Sequence, residues 1–271
     1  MRVTYRCSRG GSAKHNDRNF DLTKAKHIDQ GRLDLNTTWH CLERIDPNMT
    51  FSEAEEYFYT KRYSKALEAT NARYRAQYHP ERCKTIQDLL NGPRTRPDEL
   101  ILQVGNKDET VDPEVLKSCL REYHKQLNKW NNEHGRHLQI LNYAIHLDES
   151  TPHIHQRQCW DYIDKEGHAR LGQEKALEAS GIELPDPDKP VSKYNNRKMT
   201  FDAMNRTIWQ DILKSHGLEI ETQPLPGRKN KIKEAFIDGQ IAKKLEKLES
   251  LDKQIKWTKE LRTKQREFKD K

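Results

Sequence analysis

The stretch His146-Leu-Asp-Glu-Ser-Thr-Pro-His-Ile-His155 packs three histidines and two carboxylates into ten residues, with a proline at its bend. Upstream, Leu138 to Leu147 is rich in aliphatic residues and predicts a strand. Asp148 to Pro152 are turn formers that bring the chain back, so the whole reads as a β-hairpin. Because side chains alternate across a strand, His153 and His155 share a face, and His146 falls opposite or diagonal to them at roughly 5–8 Å. A His-x-His pair alone is a weak signal in a chain with 12 histidines. A third imidazole on the same face would be a costly way to build a core, and three neutral imidazoles suit Zn, Cu, Fe or Ni while leaving positions open for water or a substrate oxygen. His146, His153 and His155 are therefore the expected metal ligands.

The same ten residues closely resemble the third motif, HxDExxPHxH, of the Mob/Pre (MobV-type) family of plasmid mobilisation relaxases and plasmid recombination enzymes. Lys14-His-Asn-Asp-Arg18 is similar to that family's first motif, HNxR, and Leu35-Asn36 carries a fainter likeness. The resemblance covers roughly the first two hundred residues and rests on these short stretches. It implies an α+β fold whose antiparallel sheet carries the His-hydrophobe-His site and is flanked by helices. It also implies a metal-dependent, site- and strand-specific DNA relaxase, which nicks and rejoins plasmid or mobile-element origin DNA through a covalent 5′-phosphate intermediate for conjugative mobilisation. Other readings are a rolling-circle replication initiator of the same fold and a DNA-binding regulator with a structural metal site.

On this resemblance His15 is the nucleophile, Arg18 pairs with phosphate through its planar fork, and Asn16 orients a neighbour. Glu149 takes the position of the motif's glutamate as base or metal-supporting group. Alternatively His15 only binds phosphate while Tyr5 or Tyr143 attacks, and Asp148 and Glu149 merely cap the turn. Mn2+ or Mg2+ is the metal implied in function, with Zn2+, Ni2+ or Co2+ accommodated in vitro. The implied partners are single-stranded or supercoiled origin-of-transfer DNA and a transfer coupling protein. Two positions that resemble DNA contacts depart from the family: Thr37 follows Asn36 where relatives often have tyrosine, and His134 precedes Gly135 where some have tyrosine. Gln156 to Trp160 is more polar than the apolar strand usual after the histidine pair, which suggests a strand facing DNA.

Charge is unevenly placed along the 271 residues. Residues 228–271 hold 15 of the 49 Lys and Arg but only 8 of the 42 Asp and Glu, leaving 34 of each sign in residues 1–227. The expected division is a nicking domain over 1–227 and a basic helical tail over 228–271. Ile241, Leu248 and Ile255 recur every seven residues in the tail, with Leu245 and Leu251 nearby, a short heptad pattern that suits a dimer through this helix. The first domain must then hold DNA through local patches such as Arg2, Arg6, Arg9, Lys14 and Arg18. Five scattered cysteines without a CxxC pair, no membrane-length apolar run and no signal-peptide pattern predict a reduced, soluble, cytoplasmic protein, and the resemblance implies that the cytoplasm is bacterial.

Elsewhere, Arg2–Tyr5 predicts a strand running into a Ser8–Ser12 glycine loop, and Glu99–Val104 a buried strand. Ser52 to Glu55 predicts a capping box opening a helix with Tyr57, Phe58, Leu67, Tyr74 and Tyr78 toward the core. Asp112-Pro113 caps a helix with Leu116, Leu120, Tyr123, Leu127 and Trp130 on one face, and Gly172–Gly181 forms a short one. Thr200 caps a further helix ending at Gly217, followed by an edge strand over Leu218–Glu221. Lys193-Tyr-Asn-Asn-Arg-Lys198 has a composition apt for single-stranded nucleic acid, equally that of a solvated loop.

Overall fold

The hairpin forms the middle of the sheet. In the computed structural model, which describes residues 1–25, 27–106, 108–221, 246–253 and 255–257, strand β4 (Leu138–His146) pairs antiparallel with β5 (His153–Ile163). The other elements in chain order are β1 (Val3–Arg9), α1 (Ala13–Asn16), β2 (Thr37–His40), α2 (Phe51–Ala76), α3 (Ile86–Asn91), β3 (Asp98–Val104) and α4 (Pro113–Glu133), then β6 (Ala169–Leu171), α5 (Gln173–Ala179) and α6 (Arg197–Ser215) after the hairpin. The sheet order is β1-β3-β5-β4-β2, every pairing antiparallel, with β6 attached to the far end of β5. The expected α+β architecture is what the chain adopts.

The two faces of the sheet do different work. On one, Leu100, Leu102, Ile154 and Trp160 meet Leu116, Leu120, Tyr123 and Leu127 of α4 and Phe201, Trp209 and Leu213 of α6 in the main core. A β-bulge at Leu141 shifts the β4 register between Ile140 and Asn142. The extra residue reverses the alternation, so Leu138 and Ile140 before it and Tyr143 and Ile145 after it all face this core. The opposite face carries the histidines and is partly roofed by α2, whose Tyr59 and Tyr63 pack on Leu141 and Cys159.

Helix α2 is locked to the sheet by a buried ion pair. Glu55 takes Arg157 Nε at 2.5 Å and Nη2 at 2.9 Å, and Asn142 Nδ2 donates to Glu55 at 2.8 Å. Gln156, Arg157, Gln158, Cys159 and Trp160 are all buried, so this polar stretch does not face DNA. It lies in a central strand covered on both sides, where Gln156 bonds His124 and Gln158, and Arg157 bonds Glu55.

Several local expectations shift. The capping box of α2 is Thr50 with Glu53, placed two residues before Ser52 because the Thr50 hydroxyl accepts from the Glu53 amide. The core tyrosines of α2 are Tyr59 and Tyr63; Tyr57 and Tyr78 are exposed and Tyr74 half-buried. Helix α6 starts at Arg197 with Asn196 as its cap, so Thr200 lies inside it. Arg197 pairs with Glu174 and Glu178, and Lys198 with Asp202, which removes two of the three cations proposed to touch nucleic acid. Ser8 and Arg9 belong to β1, and Leu218–Glu221 makes only an isolated bridge from Glu221 to Arg2. The 227/228 boundary, Ile241 and Leu245 lie outside the described residues, whereas Leu248, Leu251 and Ile255 sit on exposed helical segments. All five cysteines are free, and no described helix is long and apolar enough to cross a membrane.

Candidate metal centre

His146 stands directly opposite His153 in the hairpin register. The three ring centroids are 5.3 Å (His146–His153), 5.0 Å (His146–His155) and 4.9 Å (His153–His155) apart. Each ring is oriented by a neighbour. The Thr151 carbonyl lies 2.8 Å from His153 Nδ1 and the Asn16 carbonyl 2.9 Å from His146 Nε2. A carbonyl only accepts, so these nitrogens carry the hydrogens and leave lone pairs on His153 Nε2 and His146 Nδ1. His146 Nδ1 is buried with no hydrogen-bond partner among the described residues, 4.0 Å from Glu149 Oε1. His155 Nδ1 lies 3.4 Å from Glu99 Oε1, which directs its Nε2 away from that carboxylate. A buried, unpartnered imidazole nitrogen beside a carboxylate is the donor set a divalent cation satisfies.

Burial, opposed by the Asn16 bond and aided by the Arg18 charge, pulls the pKa of His146 down to about 3. Burial also lowers that of His153. Neutral imidazole is the form that ligates metal. Glu99 has the opposite balance: burial raises its pKa, but the bond and charge of His155 outweigh this and hold it below the ordinary range.

The first-motif residues come to the same place. Ser12 caps the single turn of α1, Ala13 packs against Phe51 and Ala144, and Asp17 accepts from the Phe51 amide at 2.7 Å. The His15 ring thereby stands 5.8 Å from that of His146 and 5.6 Å from that of His155, stacked on Phe20 at 5.7 Å. Two sets of ligand atoms lie within 4.8 Å of one another, His15 with His146 and His155, and His146 with Glu149 and His153. Arg18 Nη1 is 3.4 Å from His15 Nε2; since a guanidinium only donates, that nitrogen holds a lone pair. Burial and then the Arg18 charge lower the pKa of His15.

No family model and no curated relative matches the chain. Among solved structures it is similar to the MobM relaxase domain (MOBV; Mob_Pre) in Mn-bound crystals with plasmid oriT DNA. One, at pH 6.8, shows 16% identity and a TM-score of 0.48 over 87% of this chain and 99% of that one. Another, at pH 4.6, shows 15% identity and a TM-score of 0.48 over 84% and 94%. A third, at pH 5.5, shows 17% identity and a TM-score of 0.46 over 87% and 100%.

The remaining expected site residues separate. Arg18 does not offer a free fork: Nε and Nη2 bond Asp148 at 2.8 and 2.6 Å, and Nη2 also reaches Glu149 at 2.8 Å. Asn16 is buried, with Nδ2 on Glu99 at 3.0 Å. Asn36 bridges Asp148 and the Leu147 amide, both within 2.8 Å, and so shapes the hairpin turn. Thr37 opens the edge strand β2, and Lys14 is exposed beside His15. Arg9 is tied to Asp98, Pro93 and Gln173. His134 caps the end of α4 and stacks on Trp130, at the end of β4 remote from His146, about 26 Å along the strand. Tyr5 and Tyr143 project from the helix-covered face, so neither hydroxyl shares the face of the histidines.

Sequence reading missed Glu99. Its signal was a carboxylate at the start of a strand that reads as buried, where a buried charge needs a partner. The Gly10-Gly11 loop closes over it: Gly11 has φ +74°, and a Cβ there would collide with the Glu99 carboxylate.

Proposed function

We propose that the chain is a metal-dependent DNA relaxase that nicks one strand of a plasmid or mobile-element origin and holds the 5′ phosphate on His15. The approach of His15 to His146 and His155, with His153 beside these two, on one partly open sheet face carries this reading. His146, His153 and His155, with Glu149 beside them, would hold a divalent metal, which when bound would supply Lewis-acid polarisation of a non-bridging phosphate oxygen. Mn2+ and Mg2+ suit this role, and Mn2+ is the metal in the similar MobM crystals.

The chain's own residues do the rest. His15 is kept neutral by burial and by Arg18, so a ring lone pair is present at cellular pH. That nitrogen forms a bond to phosphorus as the bond from phosphorus to the 3′ oxygen breaks, and the departing oxygen takes up a proton. Asp148 holds Arg18 in place, so Arg18 sets the His15 ring and contributes positive field rather than a free phosphate fork. Asn16 and Glu99 fix the rings of His146 and His155. The 228–271 tail is proposed to add non-specific DNA affinity, and a coupling protein would act on the covalent complex.

Incubation of the protein with Mn2+ and supercoiled DNA of its own element tests this. Relaxed circles with one mapped nick and protein on the 5′ end are expected. DNA binding without any cleavage in Mn2+ or Mg2+ would instead mark a regulator with a structural metal.

A further inference from the structure

The face of the molecule opposite the metal site carries a second set of nucleic-acid chemistry. On α4, Arg121, Lys125 and Lys129 are exposed and four residues apart, which lines them up over about 12 Å of helix. Their neighbours do not neutralise them. Glu114 pairs with Lys117, and Glu122 accepts from His216 at 3.1 Å and Gln126 at 3.2 Å. Among the described residues no carboxylate lies within ion-pair distance of the three cations. They line one side of a shallow groove of about 450 Å³ between α4 and the end of α6.

An aromatic stack leads into this stripe. Trp39 of the edge strand β2 stacks on Tyr143 with ring centroids 5.4 Å apart and planes 19° from parallel. Tyr143 in turn contacts His124, 4.9 Å away and one helical turn from Arg121. The His124 ring is anchored to Gln156 at 2.7 Å. Trp39 is half-exposed on a strand with one unpaired edge, which makes it the outermost ring of the stack. A rigid aromatic ladder beside a row of unpaired cations is the arrangement that stacks bases and tracks the backbone of an unpaired strand.

We propose that Trp39, Tyr143 and the Arg121–Lys125–Lys129 stripe form a second binding surface for single-stranded DNA, which guides the strand around the β2 edge away from the metal site. The route rests on the relaxase reading, whereas the binding does not. Three phosphate contacts on a single strand contribute about 2 to the slope of log K against log salt.

The test measures, in EDTA, anisotropy of a labelled thirty-nucleotide thymidine strand across a salt series, with its adenine duplex as comparison. The variant Arg121→Gln/Lys125→Gln/Lys129→Gln changes only exposed side chains, and circular dichroism checks its fold. Its slope on the single strand is expected to be shallower by about 2. Trp39→Leu is expected to weaken single-strand binding several-fold at every salt with an unchanged slope. Nicking of a short oligonucleotide in Mn2+ stays at the wild-type level in the triple variant. An unchanged slope in the triple variant overturns the stripe, and equal loss on duplex in Trp39→Leu overturns the commitment to single strands. A wild type that never nicks but shows the slope change leaves this surface standing and removes the relaxase reading.

Discussion

Arg18 and Asp148 form a two-pronged ion pair from which solvent is almost excluded, with the guanidinium 8% exposed and the carboxylate not at all. Arg18 adopts φ +58°, a left-handed backbone uncommon for a non-glycine residue, and the carboxylate holds the side chain that this backbone presents. Asp148 also receives Asn36, so one carboxylate ties the first motif to the hairpin turn. Asp148→Ala should lower unfolding free energy by about 3 kcal/mol, since Glu149 retains only part of the charge pairing. Urea denaturation measures this, and a loss below about 1 kcal/mol would mean the pair is not a tether.

Glu99 should matter to metal affinity without touching the metal. Glu99→Gln keeps the size but removes the charge facing His155, and about 10- to 100-fold weaker Mn2+ binding is expected by calorimetry. His146→Ala should abolish Mn2+-induced thermal stabilisation. Retention of full stabilisation in both variants would place the metal elsewhere.

His15→Ala should eliminate the covalent protein–DNA adduct while the thermal shift with Mn2+ persists in reduced or full measure. In the wild type the adduct should be acid-labile, because a phosphorus–nitrogen bond hydrolyses in acid more readily than a tyrosyl ester. An acid-stable adduct mapped to a tyrosine would remove His15 as nucleophile. Loss of the thermal shift in His15→Ala would mark it as a ligand, an outcome the close approach of His15, His146 and His155 makes specific.

Acid sensitivity should begin early. Burial lowers the pKa of His124, His146, His153 and His15 below the ordinary 6.5. Below pH 6.5 the unfolded chain binds protons that the folded one refuses, so stability falls as pH drops and is fully present only above that value. Each histidine adds up to about 1.4 kcal/mol per pH unit, until its own lowered pKa is passed. Denaturation of EDTA-treated protein from pH 7.5 to 4.5 should show this slope, and a flat profile would contradict it.

Removal of residues 228–271 should leave nicking of a short single-stranded oligonucleotide intact and weaken binding to longer DNA, most at low salt. A folded truncation that no longer cuts the oligonucleotide would put the boundary in the wrong place.

The hairpin was legible because periodicity and turn chemistry are local: a strand of aliphatics, five turn formers and alternating histidines leave little freedom in register. The Asp112-Pro113 cap and the apolar face of α4 were legible for the same reason. Offsets arose where two local signals competed, as with Thr50 against Ser52 and Asn196 against Thr200, since either residue type can cap and only the docked helix selects one. Arg18 shows the deeper limit. Its type suggested a phosphate fork, yet whether a guanidinium meets phosphate or carboxylate depends on what the fold brings beside it, here Asp148 from 130 residues away.

By itself the sequence determined the hairpin and the three imidazoles on one face, because side-chain alternation and turn propensity act over a few residues; the α+β class came through the resemblance that its motifs carry. Only the tertiary structure decided that His15 reaches those imidazoles and that Glu99 orients one of them. It also decided that Arg157 is spent inside the sheet on Glu55 and that Arg121, Lys125 and Lys129 of α4 meet no carboxylate among the described residues. Those outcomes depend on pairings between distant segments, and a charge or lone pair has no assigned partner until the chain has closed around it.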